Sequence, residues 1–262
     1  MKARIKFSKT GSMRFTGHLD VMRYFQKAFL RAGIKTGYSR GFSPHPLMSF
    51  TSPLGIGLGS DAEYIDVTLE EADTPSVMTD RLNVVMNDEI RVKLFSFIKD
   101  TAKPSMSVLA ACDYLIAVKP ESTSQFTDRE FTKKNLDTFI VQDKIEILKK
   151  TKKSEKITDI RENICYISDN MADFQKMTGQ NYGKLCINET YLPVLYCQLA
   201  AGSVVNIKPE LVLEAFCNYS GTEYNPFAYQ IHRLEMYAKA DKKLIPMSDY
   251  DAVLQTGGES YA

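Results

Sequence analysis

The sequence lacks the features that mark a membrane or secreted protein. It has no run of about 18 consecutive apolar residues, the length that a bilayer-spanning helix needs. Its first nine residues, MKARIKFSK, contain no apolar core of a signal peptide. Apolar residues make up 44% of the chain and charged residues 25%, which is typical of a globular protein. We therefore expect a cytoplasmic protein without a membrane partner.

Motifs for metal or cofactor binding are also missing. The five cysteines form no CxxC pair or similar group, which argues against a disulfide framework, a zinc site and an iron–sulfur cluster. The glycine-rich segment at 53–64, PLGIGLGSDAEY, lacks the Lys-Ser or Lys-Thr pair and the following helix of a phosphate-binding loop. Glu63 and Asp66 lie three apart on a predicted strand and so point to opposite faces, unlike a catalytic carboxylate pair. We expect no metal and no cofactor, and binding rather than catalysis.

Acidic residues are scarce in the first 60 positions. Asp20 stands there against ten Lys and Arg residues, although the whole chain has a net charge of only +1. A basic segment on a nearly neutral chain indicates a localised anionic partner such as nucleic acid. A second basic cluster, KKTKKSEK, occupies residues 149–156.

The stretch at 17–33, GHLDVMRYFQKAFLRAG, predicts an amphipathic helix. Its apolar residues recur at three- and four-residue spacing, so one face belongs to a core. Its other face carries Arg23, Lys27 and Arg31 in one stripe. Like charges four apart destabilise a helix by roughly 0.2–0.5 kcal/mol per pair. The stripe alone fits a solvated helix face equally well, and it favours a functional role only together with the basic segment and the loop that follows.

The segment that follows, GYSRGFSPHP at 37–46, predicts an ordered but irregular loop because of its glycines and prolines. It presents Arg40 and His45, while His18 lies in the first turn of the helix, which Thr16 or Gly17 would cap. Asp159 and Arg161, two apart on a predicted strand, share one face and could pair. The candidate RNA- or anion-binding residues are Arg14, His18, Arg23, Lys27, Arg31, Arg40, His45, Lys150, Lys152, Lys153 and Arg161.

The order of predicted elements indicates an α+β fold. The first half reads β-α-β-β-α-β, the ferredoxin-like unit, and the second half repeats this order with one strand too many. We therefore predict tandem ferredoxin-like domains, the second one decorated. The predicted domains are 1–100, which carries the basic helix, and 108–247, followed by a loosely packed or disordered tail at 248–262.

Residues 13–67 carry a specific resemblance. The run MRFTGHLDVMRYFQKAFLRAGIKTGYSRGFSPHPLMSFTSPLGIGLGSDAEYIDV, with KITDIRENI and LAAGSVVNIKPELVLEA later, resembles the bacterial radical SAM-linked protein family, a domain of unknown function. The resemblance implies a position beside, or fused to, a B12-binding-type radical SAM protein. This chain has threonine and glycine before His18, where the family more often has a serine. The predicted fold order also resembles, more weakly, the CRISPR repeat-processing endoribonucleases.

Three functions follow as alternatives. The first, which we favour, is an RNA-binding accessory module that presents ribosomal or transfer RNA to a partner radical SAM enzyme for RNA modification. The second is a metal-independent endoribonuclease in which His18 or His45 transfers protons and Arg23 or Arg40 stabilises the phosphorane. The third is a docking protein for an acidic partner, because an acidic protein surface and a phosphate backbone attract the same cations.

Overall fold

A computed structural model describes residues 1–150 and 155–255, with only the backbone described for Lys149, Lys150 and Gln255. The strands are β1 (Lys2–Lys9), β2 (Met48–Phe50), β3 (Gly59–Thr68), β4 (Ile90–Ile98), β5 (Leu109–Val118), β6 (Glu146–Lys150), β7 (Glu155–Asp159), β8 (Ile164–Ser168), β9 (Leu192–Ala200), β10 (Tyr229–Ala240) and β11 (Lys243–Pro246). The helices are α1 (His18–Arg31), α2 (Pro75–Val85), α3 (Ser105–Val108), α4 (Arg129–Phe139), α5 (Met171–Thr178), α6 (Pro209–Ser220) and α7 (Tyr250–Gln255). Every strand pair with a described register is antiparallel, so this is a mixed α and β protein with mostly antiparallel pairing.

The chain divides into two compact units. Unit 1 contains residues 1–110 and the described residues from 235 onward, and unit 2 contains residues 111–234. The sequence predicts a different division, because it assigns residues 235–247 to the second domain. Strand β10 has residues in both units, so no loop marks this boundary in the sequence.

The segment predicted as a loose tail is packed within unit 1 as far as it is described. Tyr250 is buried, and Asp251 Oδ2 lies 2.5 Å from Arg4 Nη1. The sequence gives no sign of this contact, since 247 positions separate the two residues.

Unit 1 builds its core between a sheet and two helices. β1 pairs with both β3 and β4, and β2 pairs with β3. Alternate residues of β1 point into the core, which takes side chains from α1 and α2 as well; among its buried members are Ala3, Ile5, Phe7, Phe25, Phe29, Met78 and Leu82. Because strand residues alternate between faces, Arg4 and Lys6 of β1 lie on the opposite face.

Helix α1 forms as the sequence predicts. Val21, Phe25, Ala28 and Phe29 are buried, which follows from their three- and four-residue spacing. Gly17 is the N-cap, one of the two predicted capping residues. The helix thus fixes one face in the core and leaves its cationic face at the surface.

Unit 2 places β9 between β5 and β8, with β10 next to β5. Helices α4 and α6 pack through aromatic rings, with the Phe139 and Phe216 centroids 5.2 Å apart. On α5, Phe174 packs against Leu115 of β5 and Tyr196 of β9. The helices α4, α5 and α6 therefore all bury aromatic side chains. The sequence did not predict α5.

The surplus strand of the second half has a structural explanation. Strands β6 and β7 pair only with each other, in a two-stranded sheet of their own. The stretch ITDIRENICYIS at 157–168 predicts a single strand from its sequence. That prediction is wrong, because β7 ends at Asp159, a helical turn follows at Arg161–Asn163 and β8 begins at Ile164.

Candidate nucleic-acid interface

The cationic face of α1 lies in solvent. Arg23, Lys27 and Arg31 are all exposed, at positions four residues apart. Arg23 Nη1 lies 3.1 Å from Asp20 Oδ1, an exposed ion pair worth only about 0–1 kcal/mol. Within the described residues, Lys27 and Arg31 form no ion pair. These two side chains are therefore open to an external anion.

The connection between β1 and α1 positions Arg14. Residues Gly11–Phe15 form a short 3-10 helix, and the Arg14 guanidinium carbon lies 5.0 Å from the centroid of the Phe15 ring. The Phe15 ring is itself exposed. Arg14 is therefore held near the beginning of α1 by a cation–π contact on the surface.

Glu89 fixes this connection from the other side. Ser12 Oγ donates a 2.5 Å hydrogen bond to Glu89 Oε2, and the Met13 N–H donates to the same oxygen at 3.1 Å. The Ser12 hydroxyl, together with the backbone N–H groups of Ser12 and Met13, lowers the pKa of the Glu89 carboxyl. Glycine is favoured at position 11, because its φ is +50° and a Cβ, 2.0 Å from Glu89 Oε1, would displace the Glu89 carboxylate.

His18 and His45 have separate surroundings. The exposed His18 ring meets Phe50 edge-on, with centroids 5.0 Å apart. His45 Nδ1 lies 2.9 Å from Ser39 Oγ, within the loop that follows α1. Among the described contacts none joins the two histidines.

That loop holds Arg40 in solvent. Gly41 and Pro44 follow Arg40, and every residue from 40 to 45 is exposed. Behind the loop, a cavity of about 260 Å³ is lined in part by His45, Lys2 and Asp66. The structure therefore presents Arg40 and His45 from one loop, as the sequence predicts.

The cations of β1, in contrast, are engaged within the protein. Arg4 is buried and its Nε lies 2.8 Å from Asp66 Oδ1. Lys6 Nζ lies 2.6 Å from Glu235 Oε2, and Lys9 Nζ donates to the Thr16 carbonyl at 2.9 Å. The ten cations of the first 60 residues thus do not all contribute to an outer surface.

The predicted residues of the second half receive less support. Lys152 and Lys153 lie outside the described residues, as does the side chain of Lys150. Asp159 and Arg161 do not lie on one strand as predicted, because β7 ends at Asp159 and Arg161 begins a short 3-10 helix. The backbone N–H groups of Arg161 and Ile145 donate to Asp159 Oδ1 at 2.9 and 3.0 Å and lower the pKa of its carboxyl. Asp159 therefore shapes the turn that ends β7.

Sequence reasoning missed two exposed aromatic residues in the loop. Phe42 is fully exposed and Tyr38 is 55% exposed. The available signal was an aromatic residue in a glycine- and proline-rich loop, outside any periodic apolar pattern. Such a residue has no evident place in a core.

Fold and surface together define a two-unit α and β protein with an exposed basic helix. The chain belongs to the bacterial family described as "Uncharacterized protein conserved in bacteria (DUF2344)", whose model matches residues 2–209. This agrees with the expectation of a bacterial domain of unknown function. A search of the curated proteins gave no match.

The described part of the chain lacks two further features. None of its helices combines the length and the apolar character needed to cross a membrane. It also contains no group of three or more His, Cys, Asp or Glu side chains placed to hold a metal ion.

Proposed function

We propose that this protein is an RNA-binding accessory module that presents ribosomal or transfer RNA to a partner enzyme. The observation that carries the proposal is the exposed cationic face of α1, formed by Arg23, Lys27 and Arg31. Arg14 and Arg40 belong to the same unit. Lys and Arg side chains on a surface bind phosphates through ion pairs and release counterions, which gives most of the affinity for a nucleic-acid backbone.

The proposed partner is a B12-binding-type radical SAM protein, which would modify the presented RNA. The support is the resemblance of residues 13–67 to the radical SAM-linked family. In this arrangement the accessory module supplies affinity and orientation, and the partner supplies the chemistry.

The proposal extends to the fold of each unit as a ferredoxin-like domain, with the tandem order predicted from the sequence. In unit 1 the support is that β1 lies between β4 and β3 while β2 pairs with β3. In unit 2 the support is that β9 lies between β5 and β8, as β3 lies between β1 and β2 in unit 1. Backbone NOEs across these pairs, and across β10 and β5, test this assignment.

RNA binding is tested by charge reversal at two matched places. Lys27→Glu/Arg31→Glu acts on α1, and Lys133→Glu/Lys134→Glu makes the same change in net charge on exposed residues of α4. For wild type and the α4 variant, log K for a transfer or ribosomal RNA fragment should fall steeply with log salt, by about 0.7 per single-strand phosphate contacted. The α1 variant should lose about tenfold or more in affinity and part of the salt slope.

An equal loss of RNA affinity in both variants would show an effect of net charge alone and contradict a role for the α1 face. If wild type binds no RNA even at low salt, the proposed function fails, and an acidic protein becomes the partner to seek. Thermal melts of all variants check that the fold is intact.

The native RNA can be identified by cross-linking in the cell of origin, followed by sequencing. The expected result is enrichment of one RNA at a defined position, lost in the Lys27→Glu/Arg31→Glu variant and kept in the α4 variant. Enrichment without position specificity would contradict presentation to a modifying enzyme.

A further inference from the structure

The loop after α1 carries three planar side chains at alternate positions. Tyr38, Arg40 and Phe42 are all exposed, and Phe42 is fully so. A single exposed aromatic residue is ordinary on a protein surface, but two aromatic rings flanking an arginine within five residues are a distinct chemical group. Since the Phe42 ring buries no area against the described residues, it contributes nothing to their packing.

Hydrogen bonds close the loop at its base. The Ser39 N–H donates to the His45 carbonyl at 2.9 Å, and the His45 N–H donates to Ser39 Oγ at 3.1 Å. One residue further from the tip on each side, Tyr38 and Pro46 form an isolated antiparallel bridge. The segment 40–44 is thus a short tip on a fixed base, which reduces the ordering entropy lost when a ligand binds it.

The chemistry of the tip selects an unpaired nucleobase. Bases in single strands stack on aromatic rings and on arginine guanidinium planes, and stacking tolerates any base because each has a π face. Bases within a duplex are already stacked and offer only their edges in the grooves. Arg40 can contact both the base and the backbone of a nucleotide, since a guanidinium stacks on a base and also binds phosphate.

We propose that residues 38–45 form a stacking site for an unpaired nucleotide of RNA, with Phe42 as the principal platform and Arg40 beside it. This inference rests on the proposed function and narrows it to RNA with a single-stranded segment. It assigns the α1 face to the phosphate backbone and the loop tip to a base.

The chain offers a clean optical test because it contains no tryptophan. Phe42→Trp would place a single tryptophan at the tip, and Phe227→Trp would place one at a phenylalanine that is 82% exposed in unit 2. Tryptophan can be excited selectively in the presence of the 14 tyrosines of the chain. Each variant is titrated with a single-stranded RNA oligonucleotide and with a duplex of the same sequence. The expected result is quenching of the position-42 fluorophore by the single strand, with little change from the duplex or in the position-227 variant.

Affinity measurements separate stacking from charge. Phe42→Ala should lower single-strand affinity by about tenfold while leaving the salt slope unchanged, because stacking releases no counterions. Phe42→Tyr should restore the affinity, and Phe227→Ala should not change it. Thermal melts should be unchanged in all of these variants, since neither ring is buried.

The outcomes distinguish this inference from the function on which it rests. If wild type binds RNA with a steep salt dependence but Phe42→Ala binds equally well, the stacking site is overturned and the RNA-binding proposal stands. Equal quenching by duplex and single strand also overturns the stacking site. If wild type binds neither RNA at low salt, both proposals fail.

Discussion

Strand β1 and helix α1 both carry cations in the first 31 residues, but their surroundings differ. All four cations of β1 are bonded within the protein: Lys2 Nζ donates to the Asp100 carbonyl, Arg4 pairs with Asp66 and Asp251, Lys6 pairs with Glu235, and Lys9 donates to the Thr16 carbonyl. On α1, Arg23 pairs weakly with Asp20, and the described residues give Lys27 and Arg31 no ion pair. Charge counted along a sequence therefore overstates the charge available to a ligand.

The difference arises from where the partners lie. On α1 the neighbours of each cation are set by the helix itself, so exposure can be read from the three- and four-residue spacing. On β1 the ion-pair partners of Arg4 and Lys6 come from β3, β10 and α7, which are distant in the sequence. Strand cations are thus candidates for stability and helix cations for binding.

The largest effect is expected at Arg4. Arg4→Met leaves the Asp66 and Asp251 carboxylates without their buried cation and should lower the free energy of unfolding by about 3–5 kcal/mol. Arg31→Met, the matched change on α1, should shift it by less than about 0.5 kcal/mol. Urea denaturation measures both. A loss at Arg4 as small as that at Arg31 would remove the distinction between the two elements.

A smaller effect is expected at Lys6. Lys6→Met removes the 2.6 Å contact to Glu235, but the Tyr64 hydroxyl still donates to Glu235 Oε1 at 2.6 Å. The free energy of unfolding should fall by about 2 kcal/mol, and Lys27→Met should leave it nearly unchanged. If instead Lys27→Met proves the more destabilising of the two, α1 depends on a contact that the comparison misses.

The smallest effect concerns the connection between β1 and α1. Ser12→Ala removes the strongest cause of the lowered Glu89 pKa, so that pKa should rise toward its ordinary value. Carboxyl carbon chemical shifts followed by NMR against pH measure it. A Glu89 titration unchanged by Ser12→Ala would contradict the hydrogen bond.

The sign of the pH dependence follows from the lowered pKa. The unfolded chain binds the Glu89 proton more readily than the folded one, so the contribution of Glu89 to stability is present above its ordinary pKa. It is lost as pH falls through the lowered folded value. Ser12→Ala should weaken this acid dependence.

The sequence predicts local features well. The period of α1, its N-cap at Gly17 and the loop carrying Arg40 all follow from residues close together in the chain. Element order in the first half is predictable for the same reason. Helix and turn signals act within a few residues, and these segments have strong ones.

Long-range contacts could not be predicted from one sequence. No local pattern marks the pairing of Arg4 with Asp251. The exposure of Phe42 depends on whether distant parts of the chain pack over it, which no local pattern shows. Helix α5 was missed because it has only 8 residues and buries only Phe174, although Asn170 supplies a capping signal. The turn after Asp159 was missed because ITDIRENICYIS alternates enough to resemble one strand.

The ion pair between Arg4 and Asp251 cannot form until long after Arg4 has been synthesised. A ribosome adds about 5–20 residues per second, so the 247 positions between them correspond to about 12–50 seconds of synthesis. All of unit 2 is made within that interval, because it consists of residues 111–234. Unit 1 is begun before unit 2 and completed after it, and a nascent chain must hold Arg4 without this partner until Asp251 has been synthesised.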